Sequence, residues 1–146
     1  MRIVIQRVTS ASVEIDKKIV ASIGQGLMCL VGISKNDTEK EVARSIDKIL
    51  KLRIFEDEQK KLNKSLQDIA GELLLVSQFT LYADCKKGTR PSFINAMAPA
   101  DAEILYKKFV SECSARYEKT KSGVFQADMK VGLVNDGPIT IVLDID

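Results

Sequence analysis

A chain of 146 residues with 45% hydrophobic and 29% charged side chains can bury its own core, and this composition excludes disorder and low complexity. A net charge of +2 excludes a bulk polycation, so any contact with nucleic acid has to come from a local patch. The absence of histidine removes Ser-His-Asp and Cys-His nucleophiles, histidine general bases and histidine-ligated metals together.

Cys29, Cys85 and Cys113 are an odd number without CxxC spacing, which disfavours a disulfide framework and a zinc site and suits a reducing compartment. No stretch reaches the roughly eighteen apolar residues of a membrane span, and none has a signal-peptide layout. One cytoplasmic domain over residues 1–146 is expected.

At the N-terminus Ile3 and Ile5 alternate with Arg2, Val4 and Gln6, and Ala11, Val13 and Ile15 with Ser12 and Glu14, predicting two strands with a kink near Thr9-Ser10. Asp16-Lys17-Lys18 reads as a hairpin turn into Ile19–Ile23, and Leu27–Ile33 as a strand covered on both faces. Asn36 or Asp37 can cap a helix over 37–51, with Glu39 three residues after Asn36 and Val42, Ile46, Ile49 and Leu50 on one face. Residues 52–55 read as extended, 56–61 as a charged turn and 63–71 as irregular.

Leu73–Val76 is a buried strand that runs directly into Ser77, Gln78, Phe79 and Thr80, so polar groups and backbone amides are delivered at a strand end. Lys86, Lys87 and Arg90 follow, interleaved with Gly88 and Pro91. Pro99 suits the first turn of a second helix, on which Leu105, Phe109, Cys113 and Tyr117 share a face. Residues 125–133 and 139–145 alternate as two strands joined by an Asn135-Asp136-Gly137-Pro138 turn. Around eight strands with two main helices predict a β-rich α+β domain of antiparallel or mixed sheets, with the helices packed on one side.

Taken as residues alone, Ser77–Thr80 could serve a site or simply complete strand hydrogen bonds. The basic residues could hold phosphate or only solvate a loop, and Gly137-Pro138 reads as an ordinary trans turn.

Ser77-Gln78-Phe79-Thr80-Leu81 and Asn135-Asp136-Gly137-Pro138-Ile139-Thr140 together resemble the two signature motifs of the D-aminoacyl-tRNA deacylases. The likeness extends through Gln6-Arg7-Val8, Ala11-Ser12-Val13, Gly71–Leu74 and the loop from Lys87-Gly88 to Pro91-Ser92-Phe93. Thr89 and Ile139 depart mildly from the usual pattern.

The resemblance implies a homodimeric hydrolase that cleaves the ester between a D-amino acid, or glycine, and the terminal ribose of tRNA. It implies a cis Gly137-Pro138 peptide inserted into the partner's site, where Gly137, Pro138 and Asn135 serve substrate binding and chiral selection and steric exclusion rejects L residues. Asp84, Asp128 and Asp136 are too scattered for a hard-cation site, so no metal or cofactor is expected. Ser77, Gln78, Phe79 and Thr80 become the catalytic stretch. Lys86, Lys87 and Arg90 become candidate phosphate contacts, and Phe93 either packs on the terminal adenosine or fills the core. Arg7 and Met129 are candidate supports of the Gly-Pro turn.

Thr80 is the protein nucleophile on paper, but a threonine hydroxyl needs an adjacent base and none is near in the sequence. Assistance by the ribose 2′-hydroxyl is therefore expected, with backbone amides near Gln78, Phe79 and Thr80 as the oxyanion cradle. The competing expectations are an L-serine-removing synthetase editing module and a non-catalytic nucleic-acid-binding protein.

Overall fold

A computed structural model describes all residues from Met1 to Asp146, and its organising element is β1, Arg2–Ile15. On one side β1 pairs antiparallel with β2 (Lys18–Ile23) and β3 (Gly26–Gly32), which lie end to end along it. On its other side lies β8 (Lys130–Asp144), also antiparallel. Beyond β3 the sheet continues in parallel through β6 (Glu72–Ser77) to β7 (Thr120–Ser122). A separate two-stranded piece joins β4 (Phe55–Glu56) to β5 (Leu62–Lys64). The two helices are α1 (Glu39–Lys51) and α2 (Pro99–Arg116).

Both faces of the central strands are buried, which is why the sequence there reads as unbroken apolar runs. Leu27, Cys29 and Val31 of β3, with Leu73 and Leu75 of β6, lie in the cluster beneath both helices, with Val42, Ile46 and Ile49 of α1 and Leu105, Phe109 and Cys113 of α2. The alternate residues Met28, Leu74 and Val76 enter a second cluster built from strands. Helices on one side of a mixed sheet is the expected α+β arrangement, and Cys113 is the core residue its spacing predicts.

β1 reaches both clusters by changing parity. Ile3 and Ile5 point under the helices, but Ala11 and Val13 point into the second cluster. The pairing with β8 shifts register between Val8 and Ser10, and a one-residue slip exchanges the two faces of a strand. The expected kink at Thr9-Ser10 is therefore a bulge within one strand, not a break between two.

Three other expectations need correction. The cap of α1 is Thr38, whose Oγ1 accepts from Lys40 N–H at 3.3 Å while Glu41 accepts from Thr38 N–H at 2.8 Å. Asp37 is unavailable as a cap because its carboxylate receives Ser34 N–H and the Met1 α-ammonium. Residues 125–129 precede β8 instead of opening it, and Asn135–Pro138 lies inside β8 instead of joining two strands. The short β5 and β7 sit in segments whose apolar pattern did not announce them.

Candidate active site

Parallel pairing of β3 with β6 sets Ser77 opposite Val31, and the Gln78 N–H extends the ladder by donating to Val31 O at 2.8 Å. The chain then makes a single 3-10 turn, Phe79–Tyr82. Leu81 N–H bonds back to Gln78 O at 3.3 Å and Ala83 N–H to Thr80 O at 3.0 Å. The Phe79 and Thr80 amides are the leading donors of this turn and have no protein acceptor. With the Gln78 amide committed to the sheet, these two are the donors a ligand can use.

Gly32 permits this packing. A Cβ there would lie 2.9 Å from Leu81 Cβ and 3.2 Å from Gln78 O, so any larger residue would push the turn off the end of β3.

Ser77, Gln78 and Phe79 line a pocket of about 640 Å³. Val31, Ile33, Val76 and Met97 form its apolar walls, together with Phe125, Met129 and Val131. Its few polar side chains include Gln126 and Asp128, the latter paired with Lys130 Nζ at 2.9 Å. The Phe79 and Phe93 rings meet edge to face, with centroids 5.0 Å apart, and both line the pocket. The Tyr106 hydroxyl donates to Leu75 O at 3.0 Å and its ring lies 5.7 Å from Phe125, bracing the end of β6. Burial pushes the Tyr106 phenol up, so it stays neutral.

Thr80 is exposed and is not among the pocket-lining residues. Its hydroxyl is bonded by the Gln78 side-chain amide, which is not a base.

Beside the pocket, reciprocal bonds between Asp84 and Ser92, 2.7 and 2.9 Å, close a loop. Lys86, Lys87 and Arg90 project from it exposed and form no salt bridge. The loop returns to the pocket through Phe93.

The Gly137–Pro138 peptide is cis. Between the pairs Gln6–Thr140 and Val8–Asn135, β8 advances five residues while β1 advances two, so Asp136–Ile139 bulges out of the ladder. Gly137 has φ +130, and a Cβ there would lie 3.0 Å from Ile139 Cγ1 and 3.3 Å from Arg7 Nη2. Buried Arg7 donates from Nε to Asp136 O at 3.1 Å and from Nη1 to Ile54 O at 2.9 Å. Asn135 accepts Ile139 N–H at 2.9 Å and donates to Thr140 Oγ1 at 2.8 Å.

Arg7 thus sits against the turn, whereas Met129 lies in the pocket wall and against the second core cluster. Gly137 and Pro138 do not line the pocket of their own chain. Sequence reading missed Gly32 and the walls supplied by Ala96–Pro99 and Phe125–Ala127, which tertiary packing alone brings to the site.

This fold is that of a solved structure of "a probable eukaryotic D-amino acid tRNA deacylase", with TM-score 0.87 at 18% identity over 99% of this chain and 98% of that one. The chain belongs to the D-Tyr-tRNA(Tyr) deacylase family, whose model matches residues 4–144. It is 56% identical over 144 residues to a D-aminoacyl-tRNA deacylase of Clostridium botulinum strain 657, covering 99% of this chain and 97% of that protein. A D-aminoacyl-tRNA deacylase of Clostridium tetani is 54% identical over the same shares. A solved structure named "c-Myc DNA Unwinding Element Binding Protein" is 44% identical with TM-score 0.95, over 100% of this chain and 99% of that one.

Proposed function

We propose that this chain hydrolyses the ester of D-aminoacyl-tRNA with main-chain donors and the substrate's own ribose, using no protein nucleophile. The observation that carries the reading is the pair of unpaired amides, Phe79 and Thr80, on the turn that follows Gln78, with Phe79 itself lining an apolar pocket. They suit the oxyanion that forms when water attacks an ester carbonyl. With no histidine in the chain and no base on Thr80, the neighbouring 2′-hydroxyl activates or positions the water. Ser77 and Gln78 hold the turn and the substrate in place, and no metal or cofactor takes part.

Gly137 and Pro138 supply the selection by handedness. Braced by Arg7 and Asn135, their backbone forms a wall that accepts the substrate ammonium and leaves no space for an L side chain. Glycine has nothing to exclude, so glycyl-tRNA is also hydrolysed. Because the turn does not line its own chain's pocket, the wall is contributed by the second subunit of a homodimer. β8 supports this arrangement: it is an edge strand of 15 residues with Val134 and Val142 exposed. Lys86, Lys87 and Arg90 contact acceptor-strand phosphates, while Phe93 with Phe79 packs on the terminal adenosine.

The test replaces the terminal ribose of D-tyrosyl-tRNA by its 2′-deoxy form. Loss of turnover with retained binding supports ribose assistance, and unchanged turnover contradicts it. A second reading, nucleic-acid binding without hydrolysis, is favoured by the basic loop and by the name of the 44%-identical structure. It gives the free amides no task, and release of free D-tyrosine by the purified chain would exclude it as the whole function.

A further inference from the structure

Asn135 stands where β8 leaves its ladder with β1, and its side chain is spent on the far side of the same turn. Its Oδ1 accepts the Ile139 N–H at 2.9 Å and its Nδ2 donates to Thr140 Oγ1 at 2.8 Å. The orientation of the amide follows from chemistry, since only the oxygen can face a backbone N–H. Gln6 Nε2 lies 3.4 Å from the same Thr140 oxygen, which carries the tie across to β1. The opposite flank of the turn is held by Arg7 through Asp136 O. Asn135 thus ties the start of the excursion that carries Gly137 and Pro138 to its end, while Arg7 holds the Asp136 flank.

Resting on the reading of Gly137–Pro138 as the handedness selector, we infer that Asn135 is a positioning residue. It fixes the height and direction of the turn, and so sets discrimination between D and L substrates without touching either. Both hydrogen bonds this side chain makes go to the far flank of the turn and none leaves the turn for the pocket.

The experiment measures kcat/KM for D-tyrosyl-tRNA and L-tyrosyl-tRNA, together with hydrogen exchange at the Ile139 amide, in Asn135→Ala, Asn135→Asp, Thr140→Val and Pro138→Ala. Loss of two hydrogen bonds in Asn135→Ala is expected to expose the Ile139 amide and to reduce the D-to-L ratio about tenfold or more. In Asn135→Asp the carboxylate still accepts from Ile139 N–H and from the Thr140 hydroxyl, so the ratio stays within about twofold of the parent. Thr140→Val, which removes one bond, falls between them.

The inference is overturned if Asn135→Ala exposes the Ile139 amide and keeps the parent ratio while Pro138→Ala lowers it. It is equally overturned if Asn135→Asp loses the ratio as fully as Asn135→Ala, because the amide would then be acting on the substrate directly. Should Asn135→Ala not fold, Asn135→Asp and Thr140→Val decide the matter. A Pro138→Ala enzyme with an unchanged ratio defeats the handedness reading itself, and the role of Asn135 with it.

Discussion

Arg7 Nε donates to Asp136 O at 3.1 Å while Arg7 Nη1 donates to Ile54 O at 2.9 Å, so one buried guanidinium ties the Gly-Pro turn to the segment that follows α1. Its further approach to the Asp136 carboxylate, 3.4 Å, places a half-exposed anion against a cation with little access to water. A fork of fixed geometry can serve both carbonyls at once, which a lysine ammonium on a flexible stem cannot do in the same way. Arg7→Lys is expected to cost about 1–3 kcal/mol of stability through the unsatisfied buried groups it leaves. It should also lower the D-to-L ratio more than it lowers tRNA affinity. Denaturant melts and kinetics on both substrates check this, and an Arg7→Lys protein with parental stability and ratio would show that the brace is dispensable.

Gly32 controls the position of the free amides. In Gly32→Ala the new Cβ would meet Leu81 Cβ at 2.9 Å and Gln78 O at 3.2 Å, so the 3-10 turn has to move. Relief of such overpacking typically costs about 1–3 kcal/mol. The expected signature is a fall in kcat larger than any rise in KM, because both the Phe79 and Thr80 donors are displaced, whereas of the binding groups only Phe79 moves with the turn and the basic loop stays in place. A fall confined to KM would place the oxyanion donors elsewhere.

The basic loop should act on affinity and leave the chemical step alone. Lys86→Ala, Lys87→Ala and Arg90→Ala are each expected to raise KM for D-aminoacyl-tRNA and to reduce the slope of log K against log salt by about one for each phosphate left without its cation. None should affect a short ester such as a D-aminoacyl adenosine, which carries no acceptor-strand phosphates. Equal effects on both substrates would place these cations at the reacting centre.

Cysteine labelling reports on the same loop. Cys29 and Cys113 are buried and burial pushes both thiols up, so neither presents a thiolate near neutral pH. Cys85 is exposed beside Lys86 and Lys87. An anionic thiol reagent at neutral pH should modify Cys85 and spare the other two until the chain is unfolded. Because the added group repels phosphate, the labelled enzyme should show a raised KM, which ordinary mass spectrometry and kinetics can check.

Glu72 gives the acid limb of stability a definite sign. Its carboxylate accepts Gly24 N–H at 2.6 Å and pairs with Lys121, and these hold its pKa below the ordinary 4.5. The folded value is depressed, so this contribution is fully present above the unfolded pKa and is lost as the pH falls through the folded one. Glu72→Gln should therefore flatten the loss of stability below about pH 4.5 relative to the parent, as acid titration of the two proteins followed by circular dichroism can check.

The features that could be read from the sequence are those fixed by short-range pattern. Leu27–Ile33 and Leu73–Val76 announce buried strands because both faces are covered, and the stripe Val42, Ile46, Ile49 announces α1. The cap of that helix falls on Thr38 because Asp37 is drawn off by Met1, a partner 36 residues away that no local pattern reports. Asn135–Pro138 imitates a hairpin turn in composition, and only pairing with a 14-residue β1 turns it into a bulge on a continuous strand. Ser77–Thr80 and the Gly137-Pro138 pair are visible in the sequence as residues. That Phe79 and Thr80 hold the free donors, and that Gln78 does not, depends on Gly32 and on the register of β3 with β6, which appear only on folding.

The most direct measurement is single-turnover hydrolysis of D-tyrosyl-tRNA and L-tyrosyl-tRNA by the parent enzyme, Thr80→Ala and Pro138→Ala. Turnover of the D substrate should survive Thr80→Ala, and the preference for D over L should collapse in Pro138→Ala. Loss of all turnover in a folded, tRNA-binding Thr80→Ala enzyme would instead make that hydroxyl the nucleophile and contradict catalysis by main-chain donors and ribose.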